Sequence, residues 1–114
     1  MSLNVEIRES NGVTIFDLEG KILVGESSQK LHDAIRERLK AGARKLVLQL
    51  SGVTYIDSSG VGQIVGALTA TRQVGGEVRL ADLTPKVRDL MTITNLNRLF
   101  DLNQTEAAAV SSFL

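Results

Sequence analysis

The chain has no cysteine and no tryptophan, and its 114 residues include one proline and few aromatic side chains. Without cysteine it can form no disulfide, thiolate metal site or thiol nucleophile. The scarcity of aromatic side chains argues against stacking on nucleic-acid bases. Lysine and arginine total 13, as do aspartate and glutamate, so the formal net charge is zero. Since a basic excess is the usual mark of nucleic-acid-binding proteins, we expect no nucleic-acid partner.

Long apolar runs are also absent from the sequence. No segment approaches the roughly 20 apolar residues that a membrane-spanning helix needs, and the N-terminus lacks the charged-then-apolar pattern of a signal peptide. We therefore expect a cytoplasmic protein without membrane insertion. The length suits one domain, which we assign to residues 1–114.

The N-terminal part of the chain predicts a β-hairpin. Residues 3–7 alternate between apolar and polar side chains, as a half-buried strand does. Asn11-Gly12 is a strong hairpin signal because both residues tolerate positive φ. The second strand is expected from Val13 to Glu19, with its end at Gly20.

The middle of the chain predicts alternating helices and strands. Ser27 or Ser28 is expected to cap a first helix that Gly42 ends. Residues 46–50 are apolar apart from Gln49, which is typical of a central strand covered by helices. A second amphipathic helix follows the turn at 57–59 and should stop before Gly75-Gly76.

The last third predicts a strand at 78–81 and a third helix that begins at Thr84-Pro85, because proline suits the first helical position. A short strand is expected at 100–102, followed by a helix capped by Thr105. This order predicts an α/β domain with a mixed sheet of four to five strands and about four α-helices packed on it.

The turn Asp57-Ser58-Ser59 lies between the expected central strand and the second helix. Serine and aspartate are favoured there because their oxygens accept hydrogen bonds from the free N–H groups of the first helical turn. The same N–H groups and the positive end of the helix dipole attract anions. The turn therefore has two interpretations: plain capping, or a place where a phosphate is added and removed.

Residues 48–62 read Leu-Gln-Leu-Ser-Gly-Val-Thr-Tyr-Ile-Asp-Ser-Ser-Gly-Val-Gly. This segment resembles the signature of the STAS domain family, of the anti-sigma factor antagonist type, and the order of elements is similar along nearly the whole chain. The resemblance implies that Ser58, directly after the aspartate, is phosphorylated. Ser59 is the weaker candidate and is expected to cap the helix. Asp57 is expected either to cap the turn or to assist the kinase reaction.

The resemblance implies a binding module that sequesters an anti-sigma factor with serine kinase activity and so frees a sigma factor. Phosphorylation of Ser58 by that partner would end binding, and a serine/threonine phosphatase of the metal-dependent class would restore it. The residues expected to contact the partner are Asp57, Ser58, Ser59, Gly60, Gly62 and Gly66. The alternative is a STAS interaction subunit, without phosphorylation, of a stress-signalling or lipid/anion transport complex.

Gly62 and Gly66 lie four residues apart and share one face of the second helix. Glycine inside a helix lowers helix stability by close to 1 kcal/mol relative to alanine. The presence of each glycine therefore needs a structural or functional explanation. We expect one of them to pack closely against a neighbouring helix and the other to form a smooth docking shelf beside Ser58.

Two positions depart from the family pattern. Leu23 stands where many antagonists have an acidic residue after the second strand, and Gln49 stands where the central strand often has aspartate. We expect both differences to remove negative charge from the end of the sheet near Ser58.

Enzymatic chemistry is not expected. A nucleophilic Ser58 would need a general base, and the single histidine, His32, falls on an expected solvent-facing flank of the first helix. No metal-ligand spacing or phosphate-binding glycine motif occurs, so we assign no catalytic residue, metal or cofactor. The apolar residues Val110, Phe113 and Leu114 are expected to cover the chain's own sheet, with a dimer contact as the alternative, which gives a monomer or weak homodimer.

Overall fold

The computed structural model describes residues 3–114. Its strands are β1 (Leu3–Ser10), β2 (Val13–Ile22), β3 (Lys45–Ile56) and β4 (Glu77–Ala81). Its α-helices are α1 (Glu26–Lys40), α2 (Ser58–Gln73), α3 (Pro85–Ile93) and α4 (Glu106–Ser111), with a short 3-10 helix at Leu96–Arg98. The predicted α/β fold with a mixed sheet is confirmed, with four strands in the sheet.

The strands lie in the order β1-β2-β3-β4. The β1–β2 pair is antiparallel and joined at Asn11 and Gly12, whose φ angles of 53° and 79° fit the tight turn that the sequence predicts. Strand β3 pairs in parallel with both β2 and β4, which confirms its central position. Strand β2 continues past Gly20 to Ile22, beyond its predicted end.

The two faces of the sheet carry separate apolar clusters. Helices α1, α2 and α3 contribute to the larger cluster, which contains Phe16, Leu48 and Ile64. On the opposite face, Val110 of α4 packs with Ile15 and Val47. The expectation that the C-terminal residues cover the chain's own sheet is confirmed for Val110 and for Phe113, which packs against the same cluster. Leu114 remains exposed.

The predicted cap of α1 is wrong. The helix begins at Glu26 and its N-cap is Gly25, which offers no side chain. Ser27 and Ser28 lie inside the first turn, and their hydroxyls donate to the carbonyl of Leu23 at 2.9 and 2.6 Å. Ser27 Oγ also accepts a hydrogen bond from the backbone N–H of Leu23 (2.7 Å), so the two serines stabilise the loop before the helix.

The predicted strand at 100–102 is also wrong. The chain forms a bend and a turn there, although Phe100 and Leu102 are buried in the larger apolar cluster. Their alternation reflects two anchoring contacts of a loop, which produce the same apolar–polar–apolar pattern as a short strand.

Strands β2 and β3 end at the same edge of the sheet because they run in parallel. The backbone N–H of Asp57, just after β3, donates to the carbonyl of Ile22 at the end of β2 (3.2 Å). The loop at 23–25 and the start of α2 are therefore held side by side, and this edge carries the candidate site.

Candidate functional site

The Asp57 carboxylate is the N-cap of α2. Its Oδ1 accepts a hydrogen bond from the backbone N–H of Gly60 at 2.9 Å, and its Oδ2 accepts one from that of Val24, also at 2.9 Å. These two hydrogen bonds hold the pKa of Asp57 below its usual range, and the bond from Gly60 has the larger effect. The side chain is therefore ionised at neutral pH and joins α2 to the loop before α1.

Of the two interpretations of Asp57, the structure shows the capping one. Asp57 has the extended backbone of an N-cap (φ −102°, ψ −174°), whereas Ser59 already lies within the helix. The prediction that Ser59 caps α2 is therefore wrong, because only the residue just outside the helix can turn its side chain back to the first free N–H groups.

Ser58 is the first residue of α2 and is exposed, whereas Ser59 is half-buried. The Ser58 side chain stands at the positive end of the helix dipole, one residue after the Asp57 carboxylate. An exposed hydroxyl in this place is accessible to an enzyme, and an anion attached to it meets a favourable backbone field.

Gly60, expected to contact the partner, instead serves close packing. It is buried, and a Cβ built on it would lie 2.5 Å from the carbonyl oxygen of Ile22 and 2.5 Å from Cγ1 of Ile56. Only glycine lets α2 start this close to the ends of β2 and β3. Gly60 is thus covered by the protein itself and is not part of the surface open to a partner.

Gly62 and Gly66 show the opposite environment. Both are exposed, and a Cβ built on either would meet no atom within 4 Å. The expectation that one of them packs against a neighbouring helix is wrong. Both lie on the exposed side of α2 that begins at Ser58, so this stretch presents nearly bare backbone to the surroundings.

A groove of about 350 Å³ opens beside Ser58, between the end of β3 and helix α3. Ser58, Tyr55 and Val61 line one side of it. The α3 side is lined by Lys86 and Leu90, and the Lys86 ammonium lies over the Tyr55 ring, 5.1 Å from its centroid. The sequence does not predict this groove, because no local pattern indicates how closely α3 approaches β3.

Gln49 lies far from Ser58 and serves another purpose. Its Nε2 donates to Asp82 Oδ2 and Glu106 Oε1, both at 2.9 Å, on the face of the sheet that α4 covers. Ile56 follows it by 7 residues in β3, which is roughly 23 Å of strand. The expectation that Gln49 alters the charge near Ser58 is therefore wrong. Leu23, next to Val24, does lie beside the Asp57 turn.

His32 is partly exposed on α1, and its Nδ1 lies 3.4 Å from Oδ1 of Asp33 on the same helix. Across residues 3–114, no three histidine, cysteine or acidic side chains come together as metal ligands would. The same part of the chain contains no helix with the length and apolar character needed to cross a membrane.

Comparison with known proteins identifies the same family over most of the chain. A family model described as "STAS domain" matches residues 4–109. The anti-sigma F factor antagonist of Paenibacillus polymyxa is 29% identical over 114 residues, which cover 97% of this chain and 95% of that protein.

Two solved structures share the fold. The anti-sigma factor antagonist SpoIIAA in its unphosphorylated form gives a TM-score of 0.81 at 20% identity and covers 96% of both chains. SpoIIAA of Bacillus in its phosphorylated form gives 0.74 at 18% identity, over 97% of this chain and 100% of that one. These likenesses confirm the predicted α/β domain with a mixed sheet and helices packed on it, and the sheet has four of the four to five strands expected.

Proposed function

The chain belongs to the STAS domain family, and on this premise we propose that it is an anti-sigma factor antagonist switched by phosphorylation of Ser58. The observation that carries the proposal is the exposed Ser58 hydroxyl at the first position of α2, beside the ionised Asp57 cap. In the unphosphorylated state the protein binds an anti-sigma factor that is itself a serine kinase, and the sigma factor is released.

The partner binds what we name the switch surface, formed by Asp57, Ser58, Ser59, Gly62 and Gly66. Its serines lie at the start of α2, and its two glycines leave the helix backbone open for close approach. A helix or loop of the anti-sigma factor can lie along this strip without displacing any side chain of the antagonist.

Phosphorylation ends binding through charge. The kinase transfers the γ-phosphoryl group of ATP to Ser58 Oγ, which gives up its proton, and adds about 1.5 to 2 negative charges near neutral pH. Because the Asp57 pKa is low, two anionic groups then stand side by side, and the docked partner would have to strip water from both. A coupling of about 1–3 kcal/mol, roughly 5- to 150-fold in affinity, is typical of such switches.

The protein in this proposal is a substrate and a binding module without catalytic activity of its own. A serine/threonine phosphatase of the metal-dependent class removes the phosphate and resets the switch. The cycle takes place in the cytoplasm, where sigma factors act. It needs no rearrangement of the fold, since the phosphate is added to an exposed hydroxyl at the surface.

Phosphopeptide mapping tests the proposal. Trypsin should release residues 46–72 as one peptide that holds both candidate serines, and fragmentation distinguishes Ser58 from Ser59. We expect occupancy at Ser58 that changes between growth and stress. Wild-type protein then serves as bait for the partner, whose affinity is compared for Ser58→Asp, Ser58→Ala and the matched control Ser59→Asp.

Ser58→Asp should weaken partner binding at least several-fold, whereas Ser58→Ala should bind as wild type does. If no phosphate is found at Ser58 under any condition and Ser58→Asp binds normally, the switch is refuted. That result would support a STAS interaction subunit that works without phosphorylation. The observation that favours this alternative is Leu23, which stands beside the Asp57 turn in place of an acidic residue.

A further inference from the structure

Lys86 occupies an unusual position in the groove beside Ser58. It is the second residue of α3, after Pro85, and is exposed. A cation in the first turn of a helix faces the positive end of the helix dipole, which is unfavourable unless an anion lies nearby. None of the ion pairs found within residues 3–114 includes Lys86. Its ammonium rests on the Tyr55 ring instead.

The groove places this cation opposite the serine. Lys86 and Ser58 line the same cleft of about 350 Å³, one from α3 and the other from α2. The other charged group that lines the cleft is Asp57, whose two oxygens are already engaged by the N–H groups of Gly60 and Val24. Among the described residues, the cleft therefore holds one cation that forms no ion pair, and the hydroxyl proposed to receive a phosphate lines the same cleft.

We propose that Lys86 is the cation that pairs with the phosphate, and that this ion pair bridges the groove. This proposal rests on the proposed phosphorylation of Ser58. In the unmodified protein Lys86 stays on Tyr55 and the groove is open. In the phosphorylated protein the ammonium crosses to Ser58. Phosphorylation then changes the shape of the surface as well as its charge, since the apolar walls at Val61 and Leu90 are covered.

The relative strengths of the two contacts favour this movement. Tyr55 is 42% exposed, and a cation–π contact at an exposed site is weak. A phosphate dianion attracts an ammonium through a full charge at close range. The lysine stem has four flexible carbons, so the ammonium can move from one site to the other while α3 stays in place.

Phosphorus-31 NMR tests the pairing directly. Phosphoserine is installed at position 58 during synthesis, so the experiment does not depend on any kinase, and the second pKa of the phosphate is titrated. Removal of a cation within about 4 Å should raise that pKa by about half a unit. We expect this rise in Lys86→Met. Lys40→Met, at the far end of α1, is the matched control and should titrate as wild type does.

A second readout follows the lysine itself. The Lys86 ε-methylene protons should show an upfield ring-current shift from Tyr55 in the unmodified protein, and phosphoserine at 58 should abolish it. Equal phosphate pKa values in wild type and Lys86→Met would overturn the proposal, as would a ring-current shift that persists after phosphorylation. Absence of Ser58 phosphate in cells, by contrast, would refute the proposed function. The titration of the synthetic phosphoprotein would still show whether Lys86 pairs with a phosphate at position 58.

Discussion

At the scale of single residues, the Asp57 carboxylate connects two parts of the chain that are distant in sequence. One oxygen closes the first turn of α2, and the other fixes the loop before α1 through Val24. Ser58 stands next to this connection, as the first residue of α2, so the two Asp57 hydrogen bonds help to fix the position of its backbone. If Ser58 is phosphorylated as proposed, we expect the modification to leave the local structure intact.

Replacement of Asp57 by asparagine should make the stability of the protein less dependent on pH. The hydrogen bonds of the carboxylate lower its pKa in the folded state below the ordinary value of 3.8. Its contribution is therefore fully present above that value and is lost as the pH falls through the folded-state pKa. We expect Asp57→Asn to lower the unfolding free energy clearly at about pH 7 and much less at about pH 3.

Urea unfolding at the two pH values measures this difference. Asp89→Asn, an exposed position on α3, provides the control for loss of a carboxylate in general. A deficit of equal size at both pH values would show that the charge of Asp57 adds nothing to its role as a cap.

At the scale of elements, α2 contains glycines of two kinds. Gly60 is buried at the contact with β2 and β3, whereas Gly66 faces open space. The same substitution should therefore have opposite effects at the two positions. Gly66→Ala should raise the unfolding free energy by about 0.5–1 kcal/mol, because alanine restricts the unfolded chain and favours the helix. Gly60→Ala should lower it by about 1–3 kcal/mol through steric overlap.

Urea denaturation of the two variants, with helix content followed by circular dichroism, provides the comparison. Each variant serves as the control for the other, since the chemical change and the helix are the same. Destabilisation by Gly66→Ala would mean that the exposed side of α2 packs against some other part of the protein, and the switch surface would have to be redrawn.

The elements found correctly from the sequence are those whose signals are local. The Asn11-Gly12 turn, the helix start at Thr84-Pro85 and the Thr105 cap each depend on a few neighbouring residues. The wrong cap at Ser59 has a different cause. Aspartate and serine are equally good caps. Which of them caps α2 depends on the residue at which β3 ends at the edge of the sheet.

The candidate site was predictable only in part, for the same reason. Its turn is contiguous in sequence, so the motif reveals it. The groove is not, because Lys86 and Tyr55 meet only through the packing of α3 beside β3. Gln49 is the clearest example of this limit on prediction. Its position in the motif suggested a place near Ser58, whereas its Nε2 donates hydrogen bonds to Asp82 and Glu106 on the face of the sheet that α4 covers.

At the scale of the whole molecule, the sheet is covered on its second face by α4, a helix of 6 residues. A helix this short is unstable by itself, so tertiary contacts must hold it. Arg8 of β1 pairs with both Asp17 and Glu106. The hydrogen bond from Arg8 to Glu106, followed by the one from Gln49, lowers the pKa of Glu106. Val110 adds apolar contact with the central strands.

The C-terminal helix should stabilise the protein from within one chain. Val110 is 7% exposed and packs on Val47, whereas Leu114 is 75% exposed. Val110→Ala removes about two buried methylene equivalents and should lower the unfolding free energy by about 1–2 kcal/mol. Leu114→Ala, the control, should change it by less than about 0.5 kcal/mol.

The dependence on protein concentration decides whether this contact is internal. If α4 covers its own sheet, the loss in Val110→Ala stays constant over about a hundredfold range of concentration, because no association is linked to folding. Analytical ultracentrifugation of both variants should then show the same species as wild type. A deficit that grows on dilution, together with a change in sedimentation, would instead place Val110 in a dimer contact and exclude a monomeric antagonist.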